Sequence, residues 1–331
     1  MPLVPPRISR RHGLRALVAV LAVLGVLVWW LKPFGEPELR GGLTFSTGVR
    51  NGVYHRYGEL LEQELRQDMP EMTVRLETSE GSQQNLRRVA SGEADFTVAT
   101  ADAVSKYGID RKPGADRLRG CARLYDDYVQ LVVPAGSRVQ SARDLRGLRV
   151  AIGQDGSGVR LISERLLTAA GLDPARDVTP VSIGIDTMPA ELEAGRIDAF
   201  FWSGGLPTNA VRELSERFEI RLVQLGDLVE QLQDSGSPAR HYRAAVMPQD
   251  AYALARNTGA VATLAVPNLL VTTENADPEL TEQFTRTVID SRDRIGGVVH
   301  AAQLVDLRTA IYTDPLELHE GARRYYRSVK P

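Results

Sequence analysis

The chain has 331 residues, of which 43% are apolar and 25% are charged, and its formal net charge at pH 7 is −2. This length exceeds what one compact domain normally needs, so two α/β domains are the first expectation. The charge balance argues against a nucleic-acid partner, and the single cysteine, Cys121, excludes an intramolecular disulfide.

The N-terminal segment reads as a membrane or export element. Residues 1–32 contain five basic residues and no acidic residue, and they include an uncharged run over residues 16–31. As a helix the run would span about 24 Å, which fits a hydrocarbon core of ~30 Å only if its flanking basic residues reach the interface. The arginines before the run predict that the body is exported. Residues 1–32 are therefore predicted to be a transmembrane signal anchor, followed by a linker over residues 33–41; a cleaved signal peptide is the alternative.

A strand, a Gly/Ser-rich turn and an amphipathic helix recur four times in the rest of the chain. The turns cover residues 46–52, 79–85, 153–158 and 203–209. Turns of this kind place backbone N–H groups and hydroxyls at helix N-termini, where a small anion or polar ligand can be held. The repeat predicts a pocket that binds a ligand.

The spacing of apolar residues places the other elements. Strands are predicted over residues 43–45, 72–78, 96–100, 129–133, 148–152, 178–183, 199–202, 220–225 and 262–272. Helices are predicted over residues 54–65, 86–92, 161–170, 188–194, 207–218 and 278–294. Strands that alternate with helices predict an α/β fold with parallel sheets covered on both faces.

The order of these elements predicts two lobes. The strand–turn–helix pattern restarts near residue 134, and the tail after residue 240 has no such turn. We therefore expect a discontinuous lobe 1 of residues 42–133 plus 240–331, and a lobe 2 of residues 134–239. Two crossovers between lobes make a hinge, and a hinged cleft is a common ligand trap.

The turn at residues 153–158 follows a strand and opens a helix. Its Gly-x-x-Gly-x-Gly spacing matches neither a Walker A loop nor the dinucleotide-binding fingerprint. Its glycines could serve only a tight turn. The favoured interpretation is a ligand cradle made by Ser157, Gly158 and the neighbouring N–H groups, with charge from Arg160.

The turn at residues 46–52 ends a strand, where ligand sites form in α/β proteins. Thr47 and Gly48 are its site candidates. Arg50 could pair with a carboxylate or be a solvated surface residue. Tyr54 could stack on a ligand or fill the core.

Three further polar residues have two interpretations each. Ser82 and Asn85 have the spacing of a helix-opening pair, which caps a helix or contacts a ligand. Asp102 could accept a hydrogen bond from an ammonium or hydroxyl group, or cap a helix.

Signs of an enzyme are few in this sequence. The five histidines lack metal-ligand spacing, and no Gly-x-Ser-x-Gly nucleophile elbow is found. Cys121 is most simply a small buried residue, although an enzyme that uses it as nucleophile or cofactor tether is a minor alternative. We expect no enzyme activity, no cofactor and no metal.

The chain resembles the TAXI-type solute-binding subunits of tripartite ATP-independent periplasmic (TRAP) transporters over about residues 42–329. The matching stretches are S-T-G-V-R-N-G-V-Y (46–54), E-G-S-Q-Q-N-L-R-R-V-A-S-G-E-A-D-F (80–96), D-L-R-G-L-R-V-A-I-G-Q-D-G-S-G-V-R (144–160), L-E-A-G-R-I-D-A-F-F-W-S-G-G-L-P (192–207), A-V-P-N-L-L-V (265–271) and H-E-G-A-R-R-Y-Y (319–326). The first turn departs from the family pattern, which has small residues where Val49 and Arg50 stand.

The resemblance implies a type II periplasmic-binding-protein fold, with two α/β lobes around a hinged cleft. It implies a protein on the extracytoplasmic face of the membrane that binds a small organic anion, such as glutamate, a 2-oxoacid or a dicarboxylate, and delivers it to TRAP membrane subunits. A binding module that reports its ligand to a membrane receptor is the alternative. Carried over by position, the cleft residues would be Thr47, Gly48, Tyr54, Ser82, Asn85, Ser157, Gly158, Gly204 and Gly205, with Arg50 and Arg160 supplying charge.

Overall fold

A computed structural model describes residues 20–26, 39–234, 236 and 238–329. The chain divides into two units, residues 1–40 and residues 41–331. In the first unit, residues 20–26 are helical and their side chains are exposed. The rest of the predicted anchor and most of the linker lie outside the described residues. Among the helices that are described, none combines the length and the apolar character that crossing a bilayer requires.

The second unit contains ten strands within its described residues. They are β1 (Gly41–Ser46), β2 (Met72–Glu77), β3 (Phe96–Thr100), β4 (Leu118–Pro134), β5 (Arg149–Ala151), β6 (Thr179–Val181), β7 (Ala199–Gly204), β8 (Ile220–Val223), β9 (Arg243–Met247) and β10 (Val261–Thr273). Strands β4 and β9 show what the sequence pattern missed, because only residues 129–133 of β4 were predicted and β9 was not.

The helices follow the strands as the repeat predicts. They are α1 (Val53–Asp68), α2 (Ser82–Ser91), α3 (Ala101–Ile109), α4 (Gly158–Ala169), α5 (Met188–Glu193), α6 (Asn209–Arg217), α7 (Val229–Asp234), α8 (Pro278–Asp290), α9 (Arg292–Gly296), α10 (Leu307–Ala310) and α11 (Glu320–Val329). The predicted helix over residues 278–294 is divided at Ser291, and α3 was not predicted.

All ten strands form one sheet in the order β2-β1-β3-β10-β4-β7-β5-β6, with β8 beside β4 and β9 beside β10. Pairs β1–β2, β1–β3, β5–β6 and β5–β7 are parallel, whereas every pair that includes β4 or β10 is antiparallel. The prediction of parallel sheets is therefore wrong for the pairs that include β4 or β10. The sheet is mixed because β4 and β10 lead the chain from one half of the sheet to the other.

The two long strands connect both halves of the sheet. Strand β10 pairs with β3 through residues 268–271 and with β9 through residues 261–265. Strand β4 pairs with β10 through residues 118–128 and with β7 and β8 beyond that. The lobe boundaries near residues 134 and 240 stay a prediction.

Each half of the sheet has its own apolar core. One cluster joins the end of β4 to β5, β7, β8 and α4, and it includes the fully buried Phe200 and Phe201. Another joins α2 and α3 to β3 and β10. Helix α8 packs Phe284 flat on Phe96 of β3, with ring centroids 4.2 Å apart. These cores fix the strand ends that precede the four Gly/Ser-rich turns.

Candidate ligand-binding cleft

Three of the four predicted turns, and the strand end that begins the fourth, meet at one cleft of about 580 Å³, a volume that includes its opening to solvent. It receives residues from both halves of the sheet. Its lining comprises Gly48, Val49, Gly52, Val53, Tyr54, Glu80, Gly81, Ser82, Thr100, Asp127, Gly153, Gln154, Ser157, Gly158, Val159, Gly184, Ile185, Met188, Trp202, Ser203 and Gly204.

Three helices begin at this cleft. The residues that flank the starts of α1, α2 and α4 are Gly52–Val53, Gly81–Ser82 and Ser157–Gly158, and all six line it. The first N–H groups of a helix have no intrahelical partner, and each helix N-terminus carries a partial positive charge. The cleft therefore offers main-chain donors suited to an anionic group.

Glycine conformations support the tight turns at this site. Gly81, Gly153 and Gly156 have φ values of +124°, +89° and +87°. L-residues with side chains rarely adopt such values. The tight-turn interpretation of the 153–158 glycines thus holds for Gly153 and Gly156, and Gly153 and Gly158 also line the cleft.

Six of the predicted site residues lie together in the lining: Gly48, Tyr54, Ser82, Ser157, Gly158 and Gly204. The Tyr54 hydroxyl donates to Asn268 Oδ1 at 2.5 Å and lies 3.2 Å from Ser82 Oγ. Burial raises the pKa of Tyr54, so it stays a neutral donor. Ser82 Oγ accepts from the Thr100 N–H at 3.2 Å. Ligand contacts of these six residues remain a prediction.

Thr47 and Asn85 are buried beneath the turns and do not line the cleft. Thr47 Oγ1 donates to the Glu77 carbonyl at 2.9 Å. Asn85 Nδ2 donates to the carbonyls of Thr47 (2.7 Å) and Val98 (2.9 Å), and its Oδ1 accepts from Ser46 Oγ at 2.7 Å. Asn85 is neither a cap nor a cleft residue in this structure, because these bonds use its amide to tie β1 to β3.

The two arginines expected to supply charge are placed outside the cleft lining. Arg50 is exposed, whereas its neighbour Val49 lines the cleft. Arg160 lies 3.2 Å from Asp155 and 2.5 Å from Glu164, so its guanidinium is occupied by two acids. The structure therefore does not bring Arg50 or Arg160 to the site. Helix α4 presents its backbone to the cleft, while the Arg160 side chain pairs with these two acids.

The end of β7 contributes Trp202, Ser203 and Gly204, but not the predicted Gly205. Gly205 packs against Ala301, where an added Cβ would stand 2.7 Å from the alanine Cβ. Ser203 is 8% exposed, and its hydroxyl has no hydrogen-bond partner among the described residues. A buried unsatisfied hydroxyl in a cleft is a candidate ligand contact. The sequence placed Ser203 at the start of a turn but did not single it out.

Asp127 is the most unusual residue of the cleft, and the sequence reasoning missed it. Its side chain is buried at 3% exposure in the middle of β4. Asn268 Nδ2 donates to its Oδ1 at 2.8 Å. Burial, with smaller contributions from Asp126 and Asp102, raises the pKa of Asp127 to about 7, against the hydrogen bond from Asn268.

The charged side chains in the lining are both acidic. They are Asp127 and the exposed Glu80, which contacts Gln154 across the cleft. Lysine, arginine and histidine do not occur among the described lining residues. Among the described lining residues, the helix N-termini are therefore the source of positive potential.

Asp102 and Cys121 lie elsewhere. Asp102 accepts from the Tyr242 hydroxyl at 2.6 Å and pairs with Arg165 at 3.3 Å, and it does not line the cleft. Cys121 is fully buried, as predicted, and burial raises the pKa of its thiol. A buried thiol kept in its neutral form is a poor nucleophile.

A comparison with protein families matches residues 45–329 to the NMT1-like family. This match covers most of the chain and nearly all of the second unit.

Solved structures of similar fold include two proteins named as transporters and one protein solved with a small ligand. An L-cystine ABC transporter protein from Listeria monocytogenes has a TM-score of 0.52 at 12% identity, covering 81% of this chain and 99% of that one. PhnD1 of Prochlorococcus marinus, solved with methylphosphonate, has a TM-score of 0.53 at 12% identity, with coverage of 80% and 90%. A periplasmic transporter has a TM-score of 0.51 at 13% identity, with coverage of 89% and 93%. The predicted type II periplasmic-binding-protein fold is confirmed for the body of the chain.

Proposed function

The chain belongs to the NMT1-like family, and we propose that it is an extracytoplasmic solute-binding protein that captures a small carboxylate-bearing ligand and delivers it to a membrane transporter. The observation that carries this proposal is the meeting of three helix N-termini, from both halves of the sheet, at one cleft. Glutamate-like compounds, 2-oxoacids and dicarboxylates are the ligand classes. Main-chain amides would hold the carboxylate in place of arginine side chains.

The two halves of the body would act as lobes that close on the ligand. Lobe 1 would be residues 42–133 plus 240–331, and lobe 2 residues 134–239. The long strands β4 and β10, which pass between the halves, are the hinge candidates. Closure would bury the ligand and create the surface that the membrane subunits recognise.

The transporter class is the finer part of the proposal. The sequence resemblance favours TRAP-type membrane subunits, whereas the Listeria protein of similar fold is named as part of an ABC transporter. Reconstitution of the chain with its membrane subunits in vesicles separates the two. Uptake driven by an ion gradient without ATP supports the TRAP assignment, and uptake that requires ATP refutes it.

The proposal includes a location outside the cytoplasm and no enzymatic role. The basic residues before the apolar run of residues 16–31 support export with an N-terminal anchor. The burial of Cys121 supports binding without covalent chemistry. Two C-terminal fusions test the topology, one to a reporter that is active only outside the cytoplasm and one to a reporter that is active only in the cytoplasm. Activity of the cytoplasmic reporter alone would refute the proposed location.

Calorimetry of the full-length protein in detergent tests the binding function. The panel contains L-glutamate and 2-oxoglutarate, L-alanine and pyruvate, L-leucine and 4-methyl-2-oxopentanoate, and succinate. We expect at least one member to bind with micromolar or tighter affinity. Absence of binding by the entire panel would refute the proposed function.

A further inference from the structure

Asp127 presents an unpaired oxygen to the cleft. One carboxylate oxygen accepts the 2.8 Å bond from Asn268, and no hydrogen bond or ion pair reaches the other from any described residue. The residue is 3% exposed, so burial removes most of its carboxyl group from bulk water, and ionising it there is unfavourable.

The orientation of Asn268 fixes Asp127 as an acceptor. The Tyr54 hydroxyl donates to Asn268 Oδ1 at 2.5 Å, so the amide group of Asn268 turns its NH2 toward Asp127. Tyr54, Asn268 and Asp127 thus form a directional chain in which each residue donates to the next. This series of hydrogen bonds ends at the Asp127 carboxylate, whose other oxygen has no hydrogen-bond donor among the described residues.

The charges around Asp127 offer no compensation. The acidic residues that affect it, Asp126 and Asp102, have the same sign, and Tyr54 and Tyr125 are neutral. A buried carboxylate without a cation is strongly unfavourable, whereas a matched cation relieves that cost. A ligand can supply the missing cation here.

The N-termini of α1, α2 and α4 line the same cleft and favour a negative group. The cleft therefore has a positive region made of main-chain N–H groups and a negative region made of one carboxylate. A compact molecule with a carboxylate and an ammonium group matches both regions. A 2-oxoacid or simple dicarboxylate would instead place an oxygen against Asp127.

We infer that the ligand of this cleft is an amino acid or a similarly compact amino carboxylate, and that Asp127 is the specificity-determining residue that binds its ammonium group. This inference rests on the proposed solute-binding function and narrows its ligand class. The calorimetry panel described above matches each amino acid with its 2-oxoacid. The two members of a pair differ in having an ammonium group or an oxo group, which is the group that would face Asp127.

The experiment measures the affinity of each pair at pH 8 in full-length protein. We expect the amino acid of the bound pair to bind about 30-fold more tightly than its 2-oxoacid. This factor corresponds to the lower end of the affinity loss that follows removal of one partner of a buried charge pair. Asp127→Asn should remove most of this preference and leave the 2-oxoacid affinity unchanged or improved. Thermal melting verifies that the variant is folded.

Asp126→Asn is the matched control. Asp126 is the adjacent carboxylate of β4, but it pairs with Arg123 at 2.7 Å and with Arg243, and it does not line the cleft. Its variant should keep the amino-acid preference of the wild-type protein.

Two outcomes overturn the inference while the proposed function survives. One is tighter binding of the 2-oxoacid or succinate than of the amino acid by the wild-type protein, which needs no variant. The other is an unchanged amino-acid preference in folded Asp127→Asn. Absence of binding by every compound would instead refute the proposed function, and the inference with it.

Discussion

Buried polar residues near the cleft have two different roles, and hydrogen bonding separates them. Asn85 is fully buried with both ends of its amide satisfied by β1 and β3. Ser203 and Asp127 also line the cleft, but the Ser203 hydroxyl has no hydrogen-bond partner among the described residues, and the Asp127 carboxyl accepts one hydrogen bond, from Asn268. A satisfied group stabilises the fold, whereas an unsatisfied group costs stability and is relieved by a ligand.

Asn85→Ala should destabilise the protein by roughly 2–4 kcal/mol, since it leaves several buried partners without a hydrogen bond. Chemical denaturation measures this loss. Asn51→Ala, at an exposed position, is the control and should change stability by less than about 0.5 kcal/mol. A loss of ligand affinity without a loss of stability in Asn85→Ala would contradict the structural role.

The raised pKa of Asp127, about 7, predicts a pH-dependent stability of the ligand-free protein. Because this carboxyl is harder to ionise in the folded protein than in the unfolded chain, its contribution lowers the free energy of unfolding as pH rises from about 4 to about 7. Outside that window its contribution is constant. Asp127→Asn should therefore be more stable than the wild-type protein by an amount that grows across this window, to at most about 4 kcal/mol above pH 7. Equal stability of the two proteins at pH 5 and pH 8 would contradict this burial cost.

Ligand binding should show the opposite trend in the same window. If the ammonium group binds ionised Asp127, affinity rises about tenfold per pH unit up to pH 7 and is level above it. The groups that interact electrostatically with Asp127 are Tyr54, Tyr125, Asp126 and Asp102, and Asn268 donates a hydrogen bond to it; none of these residues is basic. Affinity that increases on acidification would indicate that a protonated Asp127 donates to the ligand instead.

At the scale of elements, helices α3 and α4 are linked through a buried polar cluster. Asp102, in the first turn of α3, accepts from the Tyr242 hydroxyl and pairs with Arg165 of α4. The Arg165 guanidinium also donates to the Tyr242 oxygen at 2.8 Å. The cluster thus fixes α3 against α4 and against the segment before β9, and it explains why this acid is not available to a ligand.

Asp102→Ala should cost about 3–5 kcal/mol, because it leaves the charge of Arg165 without its partner in a largely buried site. Tyr242→Phe should cost about 1–2 kcal/mol, since it removes hydrogen bonds only. The control is Lys106→Ala in the same helix, which breaks an exposed pair with Asp110 and should cost less than about 1 kcal/mol. Thermal and urea unfolding measure all three. Equal costs for Asp102→Ala and Lys106→Ala would show that the cluster does not hold these helices together.

At the scale of the whole body, contacts across the cleft join the turn at residues 79–85 to the turn at residues 153–158. Gln83 Nε2 donates to the Ser157 carbonyl at 2.7 Å, and the Gln84 N–H donates to the Gly156 carbonyl at 3.0 Å. These bonds join the two turns that line opposite sides of the cleft.

If the proposed lobes close on a ligand, Gln83→Ala should favour their opening without lowering the unfolding temperature. Loss of one such bond, about 1 kcal/mol, predicts ligand release about five times faster and a larger radius of gyration in X-ray scattering. Gln63→Ala, at an exposed position on α1, is the control. Unchanged release and scattering in Gln83→Ala would show that this contact does not control closure.

The sequence by itself determined the recurring strand–turn–helix units, with helix starts predicted one to four residues after the observed Val53, Ser82 and Gly158, and the burial of Cys121. These features follow from local chain chemistry, because apolar spacing and glycine-rich turns act over a few residues. Only the tertiary structure decided the antiparallel course of β4 and β10, because strand direction depends on which distant segment pairs beside it. The tertiary structure also decided which of Asp126 and Asp127 lines the cleft. Neighbouring residues of a strand point to opposite sides, and here two arginines lie on the side of Asp126 and the cleft lies on the side of Asp127.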